Sequence, residues 1–191
     1  MIKNNISLQT VNLPVVIISI DYHQHLKNLI LEKINNTTKM SINSPKSNEV
    51  ISNSDYYLPS HFCKTYIPDV ERVIHQTVES LQQIFKPTNA VVAAAPELTW
   101  FQQYKEGDYH GWHSHGGNVF YSCVYYVDLP DNSPVTTLRI LDEEKEYSVK
   151  EGDVFCFPGL IEHCSKPNKS KKIKTSIAFN TFLKYNQYCN L

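Results

Sequence analysis

Three histidines are the residues whose type and spacing could do chemistry in this sequence. His113 and His115 stand two residues apart, and His163 follows fifty residues later. On an extended segment, side chains two residues apart leave the same face, so this pair can converge on one metal ion. Imidazole is a common ligand of iron, copper, zinc and nickel. The pattern predicts a metal site, against the simpler reading that each histidine is a surface or hydrogen-bonded residue.

The histidines need a scaffold of strands, and the second half of the chain predicts one. Apolar and β-branched runs bounded by Pro, Gly, Asn and Asp clusters are typical of short strands. His163 itself follows a predicted turn, buried strand and turn. Strands at this spacing predict a closed or two-sheet β structure. The predicted strands cover residues 90–95, 98–104, 119–128, 136–141, 146–149, 154–157 and 175–183.

The first half of the chain predicts two helices that support this β structure. A strand at 13–20 is followed by a helix capped by Asp21, and a stronger helix is capped by Asp69 and ended by Pro87. Between them, residues 35–60 are rich in Asn, Ser, Thr, Lys and Pro and predict a long loop. The fold class predicted is mainly β with N-terminal helices.

Composition narrows the function classes. With 191 residues, 41% hydrophobic, the chain fits one domain with a real core. A net charge of -1 gives no overall attraction to nucleic acid or to an anionic membrane. The five cysteines form no CxxC pair, which favours reduced, buried thiols. The longest apolar run, 13–20, is too short to span a bilayer, so we expect a cytoplasmic protein without a membrane partner.

The segment 100–182 resembles the double-stranded β-helix 2-oxoglutarate/Fe(II) oxygenases. That superfamily carries an HxD or HxE pair at a strand, a distant histidine, and then a basic residue that meets the cosubstrate. More closely, the sequence is similar to a 2OG-Fe(II) oxygenase family of bacteria and phages that is related to prolyl hydroxylases. The motifs that carry the resemblance are His113-Ser114-His115, residues 122–126, residues 157–163, Pro167-Asn168 and residues 176–180.

The resemblance implies a fold and a domain organisation. The expected core is a double-stranded β-helix, of the jelly-roll or cupin-like kind, over residues 89–185. Residues 1–88 are expected to support it, so that 1–191 form a single oxygenase-like domain. The host would be a bacterial cell, including a phage-infected one.

The resemblance also implies two cofactors and their ligands. Fe(II) would be held by His113, His115 and His163. The far carboxylate of 2-oxoglutarate would meet Lys174, with Ser176 on the same strand face able to donate a second hydrogen bond. Tyr126 and Tyr104 resemble the tyrosines that reach or line the cosubstrate pocket in the family. These seven residues are the expected site.

His115 departs from the family pattern, because most of the superfamily has Asp or Glu at this place. A neutral third ligand leaves the site one unit more positive, which should weaken retention of Fe(II). Either the metal is bound by three histidines, or His115 contacts the ligands without binding the metal, and water or another residue completes the coordination. Asp108 and His110 are close in sequence, but we expect surface roles for both because they lie in a predicted turn.

The expected function is hydroxylation of a small-molecule or peptidyl substrate, coupled to oxidative decarboxylation of 2-oxoglutarate. Residues 35–60 and 105–111 are the segments expected to close over the substrate. One alternative is a cupin-like three-histidine dioxygenase that does not use 2-oxoglutarate. Another is a non-catalytic β-barrel module that holds a structural metal. Lys174 and Ser176 discriminate between these, because only the cosubstrate requires a cation there.

Overall fold

The computed structural model describes residues 13–46, 48–58, 64–86 and 90–185. Two helices and eleven strands make up the regular structure of these residues. The helices are α1 (His23–Asn36) and α2 (Ile67–Phe85). The strands are β1 (Val16–Ser19), β2 (Met40–Ser44), β3 (Glu49–Ser54), β4 (Ala90–Tyr104), β5 (Tyr109–His113), β6 (Val119–Asp128), β7 (Thr136–Ile140), β8 (Glu143–Lys145), β9 (Asp153–Pro158), β10 (Glu162–Ser165) and β11 (Lys174–Tyr185).

The strands form one antiparallel sheet that curls until its two halves face each other. The strand order is β1-β9-β6-β11-β4-β3-β5-β10-β7-β8, and β2 pairs with β3 at one side. Side chains bridge strands that are far apart in this order, which requires the curl. The Tyr126 hydroxyl of β6 lies 2.8 Å from the Thr136 hydroxyl of β7. The Lys174 ammonium of β11 donates to the Ser165 hydroxyl of β10 over 2.7 Å.

The main hydrophobic core lies on the outer face of the part of the sheet that contains β6 and β11. Alternate residues of a strand point to opposite faces, so the odd-numbered positions of β6 and β11 share the outer face. The two helices cover that face with apolar stripes at helical spacing. Burying these side chains stabilises the fold by the transfer of apolar surface out of water. Buried members of this core include Ile30, Ile34, Val70, Val73, Tyr121, Cys123, Tyr125, Ile177 and Phe179.

The inner face carries polar and aromatic side chains that line a cavity. These residues occupy the even-numbered positions of β4 and β11, one residue out of phase with the core positions. A second, smaller apolar cluster of Tyr126, Leu138, Phe155 and Phe157 closes one end of the curl. The cavity lining contributed by these two strands consists of Trp100, Gln102, Tyr104, Lys174, Ser176, Ala178 and Asn180.

The prediction of a mainly β chain with N-terminal helices is confirmed, with local corrections. The prediction of a long loop at 35–60 is wrong, because a hairpin of β2 and β3 occupies much of it and β3 joins β4 to β5. The strand predicted at 146–149 is absent, and β8 lies just before it. The turn expected at 105–111 ends early, since β5 begins at Tyr109.

Neither helix begins as predicted. The N-cap of α1 is Tyr22 rather than Asp21, and that of α2 is Tyr66, with Asp69 inside the first turn. Asp69 forms a salt bridge with Lys33 of α1, so its carboxylate joins the two helices. Its negative charge also interacts favourably with the positive, N-terminal end of the α2 dipole. Pro87, expected to end the second helix, lies outside the described residues.

Three cysteines are described, and all three are buried free thiols. This agrees with the expectation of reduced thiols for Cys123, Cys156 and Cys164. Within the described part of the chain, neither helix combines the length and apolarity that crossing a bilayer requires.

Candidate metal centre and cosubstrate cavity

The three histidines converge at the mouth of the inner cavity. Their nearest ring nitrogens all lie within 4.8 Å of one another, which is close enough for a single ion to contact all three. His113 ends β5, and His163 lies directly opposite it on the neighbouring strand β10. The rings of His113 and His163 are 4.1 Å apart between centroids. The antiparallel pairing of two short strands therefore joins residues that are fifty positions apart in sequence.

Backbone carbonyls fix the orientation of two of the rings. Nδ1 of His113 donates to the Gly111 carbonyl over 2.9 Å, and Nδ1 of His163 donates to the Ile161 carbonyl over 3.0 Å. A carbonyl oxygen can only accept, so each Nδ1 carries the proton and each Nε2 presents a lone pair. In metal sites, a hydrogen bond of this kind from the other ring nitrogen orients the histidine ligand.

Burial keeps the three imidazoles neutral. It lowers the pKa of His113, and it lowers the pKa of His115 to about 4 and that of His163 to about 2. Repulsion between the clustered rings acts in the same direction for His115 and His163. Neutral imidazole is the form that binds a metal. The donor set thus fits a divalent transition metal without first having to lose protons at neutral pH.

His115 reaches the cluster from the segment after β5, not from the strand itself. Its backbone N–H donates to the Gly159 carbonyl over 2.8 Å, and its ring stacks on that of His163 at 5.2 Å and 21°. A side chain at Gly159 would not fit, since a Cβ atom there would lie 2.7 Å from the Val119 carbonyl oxygen. The glycine therefore lets the start of β6 lie close to the turn before β10, and the segment 114–118, which leads into β6, carries His115.

His110 belongs to the same cavity, so the prediction of a surface role for it is wrong. Its ring stacks on His113 at 4.0 Å and 17°, and its Nε2 lies 3.1 Å from the buried carboxylate of Glu49. Burial lowers the pKa of His110 to about 3. The surface prediction is also wrong for Asp108, which is buried outside the histidine cluster, where its carboxylate accepts backbone N–H bonds from Ser52 and Lys105. Asp108 thus fixes the turn before β5.

Lys174 forms the inner end of the cavity. It is only 2% exposed, and its ammonium donates to Ser165 Oγ over 2.7 Å and to the Pro134 carbonyl over 2.8 Å. The ammonium also lies 4.7 Å from the centroid of the Tyr104 ring, a favourable cation–π distance. Burial lowers the pKa of Lys174 to about 7. Without an anion nearby, the charged form is therefore held at a cost.

The Lys174 ammonium contacts the same face of β10 that carries His163. Ser165, which it contacts, stands two residues after His163 on β10, so both side chains point to the same face. Two residues along a strand span roughly 6.6 Å. A five-carbon dicarboxylate can bridge such a distance, with one end at the histidines and the other at the ammonium.

The remaining residues expected at the cosubstrate differ in their placement. Ser176 and Tyr104 line the cavity beside Lys174. Tyr126 does not line it: this side chain is fully buried, and its hydroxyl accepts the Thr136 N–H and bonds the Thr136 hydroxyl, both at 2.8 Å. Thr136 is the residue that faces the cavity. Tyr126 thus orients Thr136 rather than contacting a ligand there.

Several cavity residues were not found from the sequence. Glu49, which contacts the cavity residue His110, lies in the segment that predicted a loop, and no local motif marks it. Ser165 could have been found, because its place two residues after His163 puts it on the same strand face. Thr136 could not, since its role depends on the contact between β6 and β7 across the curled sheet.

Solved structures with the same architecture are numerous, although no family model and no curated protein matches the sequence. An oxidoreductase of the 2OG-Fe(II) oxygenase family from Burkholderia pseudomallei is 8% identical and superposes with a TM-score of 0.67, over 88% of this chain and 84% of that one. A Pseudomonas putida prolyl-4-hydroxylase is 13% identical, with a TM-score of 0.57 over 89% and 92% of the two chains. The viral collagen prolyl hydroxylase of Paramecium Bursaria Chlorella virus-1, solved with 2OG, is 14% identical, with a TM-score of 0.54 over 87% and 94%.

The chain has the double-stranded β-helix fold of the 2OG-Fe(II) oxygenases. The prediction of a double-stranded β-helix core is confirmed. Superposition at identities this low shows a shared fold alone, so the function of this chain has to be argued from its own side chains.

Proposed function

We propose that the protein is a non-haem Fe(II) oxygenase that uses 2-oxoglutarate to drive hydroxylation of an organic substrate. The observation that carries the proposal is the pairing of two features in one cavity. Three neutral histidines meet at its mouth, and a buried lysine stands at its inner end. A binding module with a structural metal has no use for the second feature. We further propose that residues 1–191 form one domain, in which 1–88 support the 89–185 core.

His113, His115 and His163 would hold the iron. A set of three imidazoles on one side of an ion leaves positions for a cosubstrate and for oxygen. The hydrogen bonds from Nδ1 of His113 and His163 support this assignment, because they direct Nε2 into the cavity. When bound together, Fe(II) and 2-oxoglutarate supply the oxidising power that no amino-acid side chain has.

Lys174 would receive the far carboxylate of 2-oxoglutarate. A carboxylate offers the buried ammonium a charge-assisted hydrogen bond and removes the cost of an uncompensated charge. Ser176 and Thr136 face the same end of the cavity and can donate further hydrogen bonds. Tyr126 would act through Thr136 as a positioning residue, and Tyr104 would pack its ring against the ammonium. Together these groups orient the cosubstrate and exclude water from its far end.

Decarboxylation of 2-oxoglutarate in the absence of substrate tests the proposal. The Fe(II)-loaded chain should form succinate and carbon dioxide in air, at a slow uncoupled rate that stops when iron is chelated. Lys174→Ala should lower this rate at subsaturating 2-oxoglutarate by roughly a hundredfold, in line with the loss of a buried charge pair. Lys184 is an exposed lysine further along the same strand, so Lys184→Ala is the matched control and should leave the rate unchanged.

A three-histidine dioxygenase that does not use 2-oxoglutarate is the second candidate. His115 favours it, because a histidine stands where most 2-oxoglutarate oxygenases have a carboxylate ligand. This function requires no buried cation. It would be supported if the iron-loaded protein consumed oxygen with a substrate while 2-oxoglutarate and Lys174→Ala had no effect.

A further inference from the structure

A second cavity opens directly outside the histidines. Its volume is about 200 Å³, and it shares His113 and His115 with the cosubstrate cavity. A group bound here would therefore lie against the face of the proposed metal centre that is remote from Lys174. The described residues that line it are Ile42, Glu49, Tyr56, Tyr57, Trp100, Gln102, His110, His113, Ser114 and His115.

Three aromatic rings form one wall of this outer cavity. The Tyr56 ring lies 4.8 Å from that of Tyr57 at 77° and 5.0 Å from that of Trp100 at 67°. Because neighbouring rings are steeply inclined to one another, the cavity is bordered by both ring faces and ring edges. Tyr56 and Tyr57 remain 50% and 56% exposed, which is high for large aromatic side chains beside a buried site. Ring faces carry negative potential, and aromatic groups arranged in this way bind organic cations.

Glu49 adds a negative charge to the same cavity. It is the one formally charged side chain among the described residues that line it. Only 4% of the residue is exposed, and its two carboxylate oxygens are held by neighbours on the wall. The His110 ring nitrogen lies 3.1 Å from Oε2, and the Tyr57 hydroxyl donates to Oε1 over 3.4 Å. These contacts hold the carboxylate in place beside the rings.

We infer that the outer cavity binds the organic cation of the substrate, a primary ammonium or a guanidinium group. The inference deepens the proposed function and rests on it, because the bound molecule is a substrate only if the protein is an oxygenase. A neutral apolar group would gain from the three rings but nothing from Glu49, and an anion would be repelled by it. The cation would come either from a free amino acid or amine, or from a basic side chain of a peptide.

The geometry also indicates where on such a substrate oxidation would occur. The His110 ring connects Glu49 to His113, since it contacts the first at 3.1 Å and stacks on the second at 4.0 Å. A cation at Glu49 would therefore place carbon atoms a few bonds away from it at the mouth of the histidine cluster. A C–H bond in the chain that bears the cation is the one expected to become C–OH, while 2-oxoglutarate and O2 give succinate and carbon dioxide.

Calorimetric titration of the Fe(II)-loaded full chain without oxygen tests the inference. The probes are capped peptides that contain lysine or arginine, with norleucine or citrulline as the neutral counterpart, and the free cations 1-aminopentane and pentylguanidinium, with 1-pentanol as their neutral counterpart. In one of the two forms, the cationic probe should bind at least about tenfold more tightly than its neutral counterpart. The form that shows this preference identifies the source of the cation. Equal binding of cationic and neutral probes in both forms, or no binding of either, would overturn the inference.

Variants locate the effect in the outer cavity. Glu49→Gln should abolish the preference for the cation, whereas Glu143→Gln, at an exposed acid on β8, should retain it. Because Glu49 is buried, Tyr56 provides a second test at an exposed position. Tyr56→Leu should reduce cation binding several-fold and Tyr56→Phe should restore it. Retention of the full preference in both Glu49→Gln and Tyr56→Leu would refute the site.

Uncoupled 2-oxoglutarate decarboxylation separates this inference from the proposed function. Turnover of 2-oxoglutarate without any cation preference would leave the oxygenase proposal standing and refute the outer site. A cation preference without turnover of 2-oxoglutarate would support the outer site and refute the oxygenase proposal.

Discussion

Replacing Lys174 with methionine should remove a pH-dependent cost to folding. Burial lowers the pKa of Lys174 from 10.5 to about 7 in the folded protein. The unfolded chain keeps the ordinary pKa, so between pH 7 and 10.5 it binds a proton that the folded chain has released. The stability of the wild type should therefore rise with pH across this window through Lys174. Below pH 7 both states hold the proton, and the full cost is present.

The size of the effect follows from the two pKa values. One pKa unit corresponds to about 1.36 kcal/mol. Because the folded lysine is already half neutral at pH 7, integration from pH 7 to pH 9 gives a gain of about 2 kcal/mol for the wild type. Methionine fills a similar volume without a charge, so Lys174→Met lacks this gain.

Urea unfolding at pH 7, 8 and 9 measures the difference. Lys174→Met should be the more stable protein at pH 7, and its advantage should shrink by about 2 kcal/mol at pH 9. Lys184→Met controls for the loss of an exposed lysine and should give no pH trend relative to wild type. An advantage for Lys174→Met that is constant from pH 7 to 9 would refute the assignment of a buried, costly ammonium. Saturating 2-oxoglutarate should stabilise the wild type and leave Lys174→Met unchanged.

Four further variants test the site. His115→Asp should tighten Fe(II) binding about tenfold in a chelator competition, because the negative carboxylate would offset part of the positive charge of the ion. Weaker binding would argue against ligation at this position. Gly111→Ala should weaken Fe(II) binding several-fold, since a Cβ atom would lie 2.4 Å from the Asn48 carbonyl oxygen and displace the strand that carries the ligands; undiminished binding would contradict this. Tyr126→Phe should raise the KM for 2-oxoglutarate with kcat little changed, and Thr136→Val should match it; a direct role for the tyrosine would show as a loss in Tyr126→Phe alone.

Local pattern was sufficient to predict much of the scaffold and most of the histidine cluster. The stripe on α2 and the alternation on β6 and β11 are local signals, and each follows from the geometry of one element. The HxH spacing identified His113 and His115. His163 was a third candidate because it follows a predicted turn, strand and turn, and a resemblance of several motifs in the correct order then supported it, since fifty residues separate it from the other two.

Contacts across the curled sheet could not be read in this way. The β2–β3 hairpin lies in a polar segment without strand-like alternation, and its partners β4 and β5 stabilise it. Glu49 therefore entered the site without any sequence signal. Tyr126 was expected at the cosubstrate because it resembles a tyrosine of the family, but its hydroxyl is satisfied by Thr136, which lies on β7. His110 was expected at the surface because the segment 105–111 predicted a turn, whereas β5 already begins at Tyr109.

The measurement that tests the central claim most directly is an anaerobic titration of the Fe(II)-loaded protein with 2-oxoglutarate. The readout is the weak visible charge-transfer band that the iron chelate of 2-oxoglutarate produces. We expect the band in the wild type and in Lys184→Ala, and its loss or severe weakening in Lys174→Ala and His163→Ala. Iron binding without a band in the wild type, or a band of equal strength and affinity in Lys174→Ala, would contradict the proposal that this cavity holds 2-oxoglutarate between the histidines and the buried lysine.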